Sequence, residues 1–346
     1  MTITHHASEA PAAGPPEAPE ARVWVLDDPR AGTAAQAIGI AERLGLPFRR
    51  IPLAWNWMAH VAGLAPGGSL LGLSAATRRT IGATAGNHAT PPDLVLSAGR
   101  RSAAVALWLK SQFGCRIVHC MSPGLGGLLR SDSFDLLVTP THDNPTEADN
   151  VLPINGAPHR VTPLVLKQAA AAWEERLGHL PRPRIALLMG GPPGGTDMPP
   201  ARAHAIGRKV ARLTGGQGGT VLATTSRRTG SEATEALSAG LSRVMHVLYR
   251  WGEPGPNPYL GFLATADAIV VTADSVSMIS EACATGAPVF YTVPEQAGRR
   301  QLRFIDRFEA ANLIRPLGET LAPWPRPVLD ESGRVASEIR RRFGLE

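Results

Sequence analysis

Short, uninterrupted apolar runs alternate with longer helix-like stretches along most of the chain, and this alternation restricts the fold more than any other feature. One-sided antiparallel strands alternate apolar and polar residues, so uninterrupted runs indicate parallel strands that are covered on both faces. The runs form two sets, at 23–26, 94–97, 116–120, 136–139 and 151–154, and at 185–189, 221–225, 244–248, 269–272 and 289–293. Alternating strands and helices predict right-handed βαβ units in a doubly wound sheet, and the pattern occurs twice.

The length of 346 residues fits two domains of about 150 residues each. We predict an α/β protein with two Rossmann-like, doubly wound parallel-sheet domains that face each other across a cleft. The first domain is expected at 22–165 and the second at 182–325, because a helix-like stretch and the segment LPRPR separate the two sets of strands. A basic C-terminal helix within 326–346 is expected to return to the first domain. The Ala-, Pro- and Glu-rich residues 1–21 are expected to be disordered.

Composition excludes several classes of protein. Hydrophobic residues make up 44% of the chain and charged residues 18%, which excludes global disorder. Three scattered cysteines do not make a disulfide framework, and no spacing typical of metal ligands occurs, so neither a metal nor a cofactor is expected. The chain shows no signal peptide and no apolar run near the ~20 residues that cross a bilayer. We therefore expect a cytoplasmic protein, or one peripheral on the inner face of the cytoplasmic membrane.

The net charge of +6 favours ligands that carry phosphate groups. Nucleic acid is not expected among them, because the arginines are dispersed, aromatic residues are only 5% of the chain, and no nucleic-acid-binding motif occurs. Motifs of kinase-type NTPases, nicotinamide dehydrogenases and serine hydrolases are also absent from the sequence.

The most informative segment is ATADAIVVTADSVSMISEACATGAPV, from Ala264 to Val289. A predicted strand ends in a turn whose Asp274, Ser275 and Ser277 open a helix. Such side chains cap the first turn, and its remaining N–H groups together with the helix dipole form a site suited to diphosphate. Glu281 lies one turn beyond Ser277, so its carboxylate would reach the ribose of a bound nucleotide. The alternative is an ordinary capped helix with a surface glutamate.

Two further strand ends of the second half bear polar or glycine-rich turns. GGPPGG begins with Gly190 and Gly191, where missing side chains would let the backbone approach a ligand closely. Ser226, Arg227 and Arg228 follow the next run, and arginine forks bind phosphate oxygens. These strand ends share one edge of the sheet, where α/β proteins bind ligands. A plain turn and solvent-exposed arginines are the alternatives.

A fourth strand end offers candidates for recognition of the nucleobase. Trp251 and Asn257 lie in a loop after the run at 244–248. The indole of Trp251 would provide an aromatic platform for a base, although a tryptophan that covers the core has the same pattern.

The first half supplies candidates for handling an acceptor. Asp28 and His142 follow predicted strands, and either could remove a proton from an acceptor hydroxyl, provided that it reaches that proton. Arg30, Gly32 and Arg100 stand at two strand ends and are predicted to contact the acceptor. Each of these residues could instead be a turn or cap residue.

The stretch LAWNWMAHVAGLAPGGSLLGL, residues 53–73, is unusually apolar and contains Trp55 and Trp57. Arg78 and Arg79 follow it. It is too short to span a bilayer, but it could lie on an anionic membrane surface. The alternative is an excursion that packs on the core.

The sequence resembles the bacterial family of mitochondrial-fission "elongated mitochondria" proteins, which is named for a plant member. The resemblance covers most of residues 22–320 and is strongest in Asn257–Val289, in TTSRRT (Thr224–Thr229) and in INGAPHRVTP (Ile154–Pro163). At Asp28-Pro29-Arg30 the family usually has an Asp-Gly-Lys-like turn. The family is similar to GT-B glycosyltransferases, some of which transfer sugars to lipid-linked or lipopolysaccharide acceptors.

This resemblance implies a GT-B fold with donor binding in the second half and acceptor binding in the first. The leading hypothesis is a metal-independent glycosyltransferase that moves a sugar from a nucleotide-sugar to a cell-envelope or lipid-linked acceptor. The alternatives are a nucleotide-sugar 2-epimerase and a non-catalytic scaffold at a membrane. The plant function, recruitment of a fission dynamin, is not expected to apply.

Overall fold

The computed structural model describes residues 22–62, 68–86, 91–129, 131–192, 197–293 and 297–345. The predicted lead-in at 1–21 and residues 193–195 of GGPPGG lie outside the described residues. Contacts divide the described chain into two compact units. The first unit contains 22–160 and 330–345, and the second unit contains 161–329.

Most strands of the described chain match the predicted apolar runs closely. The strands are β1 (Val23–Asp27), β2 (Phe48–Pro52), β3 (Leu94–Ala98), β4 (Arg116–Cys120), β5 (Leu136–Pro140), β6 (Val151–Ile154), β7 (Arg184–Met189), β8 (Thr220–Thr225), β9 (Met245–Tyr249), β10 (Ala268–Thr272), β11 (Val289–Thr292) and β12 (Arg315–Pro316). The exceptions are β2 and β12, which no run predicted.

The α-helices of the described chain lie between these strands, except for the last. They are α1 (Ala31–Leu44), α2 (Ala59–Ala62), α3 (Ala75–Gly86), α4 (Arg100–Phe113), α5 (Gly124–Leu128), α6 (Pro163–Leu177), α7 (Pro200–Gly215), α8 (Ser231–Leu241), α9 (Tyr259–Thr265), α10 (Val276–Cys283), α11 (Arg299–Ala310) and α12 (Glu331–Phe343).

Each unit contains one six-stranded sheet. The strand order is β2-β1-β3-β4-β5-β6 in the first unit and β12-β11-β10-β7-β8-β9 in the second. The strand pairs of both sheets are parallel. In parallel sheets the carboxyl ends of the strands share one edge, so the loops that follow β7, β8 and β10 lie side by side.

Apolar clusters cover both faces of each sheet. Along β1, Val23 and Val25 pack with α1, whereas Trp24 and Leu26 pack on the opposite face with α4. The second sheet is built in the same way. Ile185 and Leu187 of β7 pack with α7 and α8, whereas Ala186 and Leu188 pack on the opposite face with α9, α10 and α11. Uninterrupted apolar runs are therefore the expected pattern for these strands.

The last helix, α12, is part of the first unit. Its Val335 and Ile339 are buried in the same cluster as Ile40 of α1. The guanidinium of Arg340 donates to the carbonyl oxygens of Arg43 and Leu44, at 2.9 and 2.7 Å. A cation that donates to the last carbonyls of a helix also complements the negative end of the helix dipole, so Arg340 stabilises the C-terminus of α1.

Candidate functional site

The start of α10 lies at the carboxyl edge of the second sheet. The N-cap is Ser275, whose hydroxyl accepts from the N–H of Met278 at 3.4 Å. Ser275 is extended and buried, and Ser277 follows in the first turn, partly exposed. Within the described chain, the N–H groups of Val276 and Ser277 make no hydrogen bond. Such N–H groups at a helix N-terminus attract anions.

Asp274, which directly precedes the N-cap of α10, connects the ends of β7, β8 and β10. Its buried carboxylate accepts from the N–H of Gly191, after β7, and its Oδ2 lies 3.8 Å from Nη1 of Arg228, after β8. Arg228 also donates to the carbonyl oxygen of Gly191. Burial raises the pKa of Asp274, and hydrogen bonds with Thr272 and Gly191 and the charge of Arg228 oppose that rise. The three predicted strand ends therefore meet around one carboxylate.

Gly190 and Gly191 were predicted to let the backbone approach a ligand. In the structure both glycines pack closely against neighbouring loops. The N–H of Gly190 donates to Oγ1 of Thr272 at 2.7 Å, and that of Gly191 to Asp274, so both donors are engaged within the protein. A Cβ at position 190 would overlap with the Asp274 carboxylate, and one at 191 with the backbone of Arg228. The close packing of the loops themselves requires these glycines.

Asp274 was also predicted to contact the diphosphate, and its buried carboxylate is engaged by Gly191 and Arg228. Its contacts make it a positioning residue that fixes Gly191 and Arg228. Sequence reasoning missed two further positioning residues, Thr272 and Thr229. The hydroxyl of Thr229 donates to the carbonyl oxygens of Met189 and Gly190, at 3.0 and 2.7 Å. Hydroxyls at the last position of a strand or in the turn after it are the signal that could have identified them.

The turn 226–229 presents its two arginines differently. The N–H of Ser226 donates to Oγ1 of Thr229 at 2.9 Å, and the N–H of Thr229 returns to the carbonyl of Ser226 at 3.0 Å. Arg228 is half-buried against Asp274, whereas Arg227 is exposed at the tip of the turn. Arg227 is therefore the arginine of this pair that an anionic ligand can reach.

Glu281 lies on α10, one turn after Ser277, and its carboxylate is partly buried. Its Oε2 accepts from the hydroxyl of Tyr259, the first residue of α9, at 2.5 Å. Burial raises the pKa of Glu281 to about 7, and the Tyr259 hydrogen bond acts in the opposite direction. Burial, followed by the charge of Glu281, raises the pKa of Tyr259 well above its ordinary value. Tyr259 was missed from the sequence because it is distant from Glu281 along the chain.

The loop between β9 and α9 carries the two residues predicted to contact a nucleobase. The N–H of Trp251 donates to Oγ1 of Thr225 at 3.0 Å, which fixes the loop beside the end of β8, and the Trp251 side chain is 60% exposed. Asn257 is exposed, but its Oδ1 accepts from the N–H of Tyr259 at 3.0 Å. The Oδ1 of Asn257 is thus occupied by the turn that leads into α9, whereas the side chain of Trp251 stays accessible.

Gln301 is a site residue that sequence reasoning did not identify. It lies in the first turn of α11, and its Nε2 donates to the carbonyl oxygen of Ala273 at 2.7 Å. This bond holds the start of α11 against the loop that precedes α10. The sequence could have indicated Gln301 as a polar residue in the first turn of α11, the helix that follows β11.

Asp28 is not free to act as the predicted base. It is 4% exposed and accepts from the N–H of Arg30 at 2.9 Å, from Nε1 of Trp55 at 3.0 Å and from Nη2 of Arg101 at 3.1 Å. The guanidinium of Arg101 also lies 4.8 Å from the centre of the Trp55 ring, and burial lowers the pKa of Arg101. We call residues 53–73, which follow β2, the excursion. Through these contacts Asp28 joins the ends of β1 and β3 to the excursion.

His142 is also inaccessible. It lies in a short 3₁₀ turn, Thr141–Asp143, after β5, and is 1% exposed, with its Nε2 3.8 Å from Oδ1 of Asp143. His142 was predicted as a possible base, and a base must reach the proton that it removes, which the burial of this ring opposes. The predicted acceptor residues Arg30, Gly32 and Arg100 are exposed at the starts of α1 and α4. They lie at neighbouring strand ends.

No group of three or more His, Cys, Asp or Glu side chains in the described ranges is arranged to hold a metal ion. None of the helices described here combines the length and the apolar character that crossing a membrane requires.

These features define the class of protein. The two α/β units with parallel six-stranded sheets constitute a GT-B type of fold, so the predicted fold class is confirmed. The UDP-GlcNAc 2-epimerase from Neisseria meningitidis bound to UDP-GlcNAc is similar, with 14% identity, a TM-score of 0.52 and coverage of 94% of this chain and 100% of that chain. Os79 from O. sativa in complex with UDP has 12% identity, a TM-score of 0.51 and coverage of 94% and 91%. At such identities the likeness establishes the fold.

The family model described as Mitochondrial fission ELM1 matches residues 31–343, and the chain belongs to this family. The resemblance drawn from the sequence is thereby confirmed. Mitochondrial fission protein ELM1 of Arabidopsis thaliana is 28% identical over 286 residues, which are 73% of this chain and 64% of the relative. The uncharacterized protein RP120 of Rickettsia prowazekii (strain Madrid E) is 25% identical over 358 residues, with coverage of 92% and 97%. The chain spans less than two thirds of the plant relative's length.

Proposed function

We propose that this protein is a metal-independent glycosyltransferase. Its second unit binds a nucleotide-sugar donor, and the sugar passes to a lipid-linked or other cell-envelope acceptor that the first unit binds. The observation that carries the proposal is the meeting of the ends of β7, β8 and β10 at the start of α10, beside the exposed Arg227. The proposal is also supported by the fold shared with a 2-epimerase bound to UDP-GlcNAc and with Os79 in complex with UDP.

The diphosphate of the donor would lie at the N-terminus of α10. The N–H groups of Val276 and Ser277, the Ser277 hydroxyl and the Arg227 guanidinium are donors suited to its oxygens. Arg228 compensates the charge of Asp274, which leaves the charge of Arg227 for the ligand. Because the leaving diphosphate gains negative charge in the transition state, donors that are already in place would accelerate its departure.

Glu281 would accept hydrogen bonds from the ribose hydroxyls, and Trp251 would stack on the base. The exposed Arg30 and Arg100 would hold an anionic group of the acceptor. We assign no catalytic base, since the carboxylate of Asp28 is occupied and His142 is buried.

The proposal is tested first by binding and then by turnover. Titration calorimetry with UDP should show binding that weakens in Arg227→Ala. Arg243→Ala, an exposed arginine before β9 and therefore at the amino edge of the same sheet, is the control. Failure of UDP and of other nucleoside diphosphates to bind would overturn the proposal.

Turnover distinguishes the three candidate functions. Release of nucleoside diphosphate from a panel of nucleotide-sugars, dependent on an added lipid extract, supports the transferase. Inversion at C2 of the donor sugar without any acceptor would identify an epimerase instead. Tight binding without either reaction would identify a scaffold.

A further inference from the structure

An exposed apolar patch lies on the excursion that follows β2 in the first unit. We define the apolar patch as Trp57, Val61 and Leu71, whose side chains are 83%, 55% and 54% exposed. Single exposed apolar residues are common on protein surfaces. Three of them on one short excursion, including a nearly fully exposed tryptophan, mark an interaction surface.

Local hydrogen bonds hold the apolar patch together. The N–H of Asn56, beside Trp57, donates to the carbonyl of Gly72 at 2.9 Å, and its side-chain Nδ2 donates to the carbonyl of Leu71 at 2.8 Å. Trp57 and Leu71 therefore lie on two adjacent segments that run in opposite directions. Val61 follows in α2, where its N–H donates to the carbonyl of Met58 at 2.9 Å.

The base of the excursion is fixed to the core of the first unit. Leu53 and Leu73 are buried, and Trp55 forms an isolated antiparallel bridge with Leu73. The Trp55 indole donates to Asp28, so Trp55 is an anchor and not the surface residue that the sequence indicated. The excursion thus has a buried layer and an exposed layer of apolar side chains, and the exposed layer has no partner within the described chain.

The charged residues that follow the apolar patch along the chain are mostly basic. Residues 53–131 contain seven Lys or Arg and one acidic residue, Asp93, although the whole chain has 29 Asp and Glu. Two of these cations are already paired, Arg101 with Asp28 and Lys110 with Asp135. Asp93 directly precedes β3, whereas the excursion starts at the carboxyl end of β2, so Asp93 lies at the opposite edge of the parallel sheet. Arg79 and Arg100 are exposed on α3 and α4. These two arginines give the helices that follow the apolar patch an exposed positive charge.

We propose that the apolar patch and the exposed arginines of α3 and α4 dock on an anionic lipid bilayer. Tryptophan and aliphatic side chains insert at the level of the headgroups, and arginines attract anionic lipids over a Debye length. The apolar side chains and the arginines are both necessary, because neither a small apolar area nor a few charges alone holds a protein on a membrane. Docking requires no nucleotide, so it can succeed or fail independently of the proposed function.

The experiment measures flotation of the full chain with vesicles of phosphatidylcholine alone and of phosphatidylcholine with phosphatidylglycerol in equal parts. Binding is expected with the anionic vesicles and should weaken as salt increases. Trp57→Ser should reduce that binding about ten-fold or more. Trp251→Ser, which removes the exposed tryptophan of the second unit, should leave it unchanged. Arg79→Glu should abolish the preference for anionic lipid, whereas Arg243→Glu in the second unit should not.

Several outcomes would overturn the proposal. These are equal binding to both kinds of vesicle, binding to neither, and equal effects of Trp57→Ser and Trp251→Ser. Self-association of the chain that Trp57→Ser disrupts, without vesicle binding, would assign the apolar patch to a second copy instead. Unchanged melting temperatures would verify that the variants are folded, and Val61→Ser with Leu71→Ser provides a second test without any change of tryptophan.

Discussion

Arg227 and Arg228 are neighbours in the chain, yet their guanidinium groups have different surroundings. Arg228 donates to the carbonyl of Gly191 and lies beside the Asp274 carboxylate, whereas Arg227 is exposed. Sequence reasoning treats the two alike, because both follow the same strand. The proposed function assigns ligand binding to Arg227 and positioning to Arg228, and the two roles can be measured separately.

Arg227→Ala should weaken UDP binding by about 1.5–3 kcal/mol, the contribution of a hydrogen bond to a charged group. Because Arg227 is exposed and makes no hydrogen bond or ion pair with the described residues of the second unit, the melting temperature should stay that of the wild type. Calorimetry and a thermal scan check the two statements. Loss of stability without loss of affinity would assign Arg227 to the scaffold.

Arg228→Ala should destabilise the second unit by about 1–3 kcal/mol, because Asp274 would remain buried without its cation. Urea denaturation measures this loss. Adding Asp274→Asn should recover part of it, since the uncompensated charge then disappears. If the double variant is no more stable than Arg228→Ala, the ion pair is not the cause.

The Tyr259–Glu281 pair should make nucleotide binding depend on pH. The pKa of Glu281 is about 7 because of burial, and the Tyr259 hydrogen bond keeps it from rising further. If the ribose donates to the ionised carboxylate, UDP affinity should increase as pH rises through 7. Tyr259→Phe should move this transition to higher pH. Tyr291→Phe, which removes a comparable hydrogen bond to Glu309, is the control.

The same pKa has a consequence for stability. A carboxyl with a pKa of about 7 in the folded state and 4.5 as its ordinary value binds more protons when folded, so its contribution to stability falls as pH rises between these values. Glu281→Gln should therefore raise the melting temperature relative to the wild type more at pH 8 than at pH 5. An equal change at both pH values would contradict the assigned pKa.

At the scale of elements, α10 is held at both ends. Ser275 caps its N-terminus. At the other end, the guanidinium of Arg326 donates to the carbonyl oxygen of Cys283, the last residue of α10, at 3.0 Å. It also donates to the carbonyl oxygens of Ala287, at 2.9 Å, and of Thr285, in the turn that follows. Burial lowers the pKa of Arg326. The orientation of the helix, and thus of its N–H groups, depends on a residue far along the chain.

Arg326→Ala should lower the free energy of unfolding of the second unit by about 2–4 kcal/mol, because several buried carbonyl oxygens lose their donor. Arg326→Lys should lie between Arg326→Ala and the wild type, since one ammonium cannot reach all of these acceptors. Urea denaturation distinguishes the three proteins, with Arg243→Ala as the neutral control.

The position of a strand in its sheet determined whether the sequence could predict it. Strands buried on both faces were found within one or two residues, because apolar runs specify them. The edge strand β2 was missed: its Arg50 pairs with Asp27 at 2.6 Å, and these charges interrupt the apolar pattern. The short α9 was missed because Pro258 and the turn before it indicate a loop.

At the scale of the molecule, the fixed donors of the second unit should make turnover independent of divalent cations. In the proposed function, the N–H groups of α10 and Arg227 would take the role that a bound cation has in metal-dependent sugar transferases. Once a donor and an acceptor are known, activity should survive excess EDTA. A requirement for Mg²⁺ or Mn²⁺ that only added metal restores would refute this mechanism.

The sequence predicted the location of the candidate site better than its chemistry. Strand ends could be read from the apolar runs, which located Ser275, Arg227 and Glu281 at one edge. Sequence does not show which polar groups satisfy one another, and Asp28 and Asp274 are examples of carboxylates occupied by internal partners. Contacts between distant residues, such as Tyr259 with Glu281, become visible only after folding.

The membership of α12 in the first unit has a consequence for biosynthesis. The second unit is continuous in the chain and can fold as soon as it leaves the ribosome, whereas the nascent first unit must wait for Val335 and Ile339 to cover α1. During that interval an apolar surface stays open to aggregation or to a chaperone. Premature termination after the second unit would therefore impair the part of the protein that was made first.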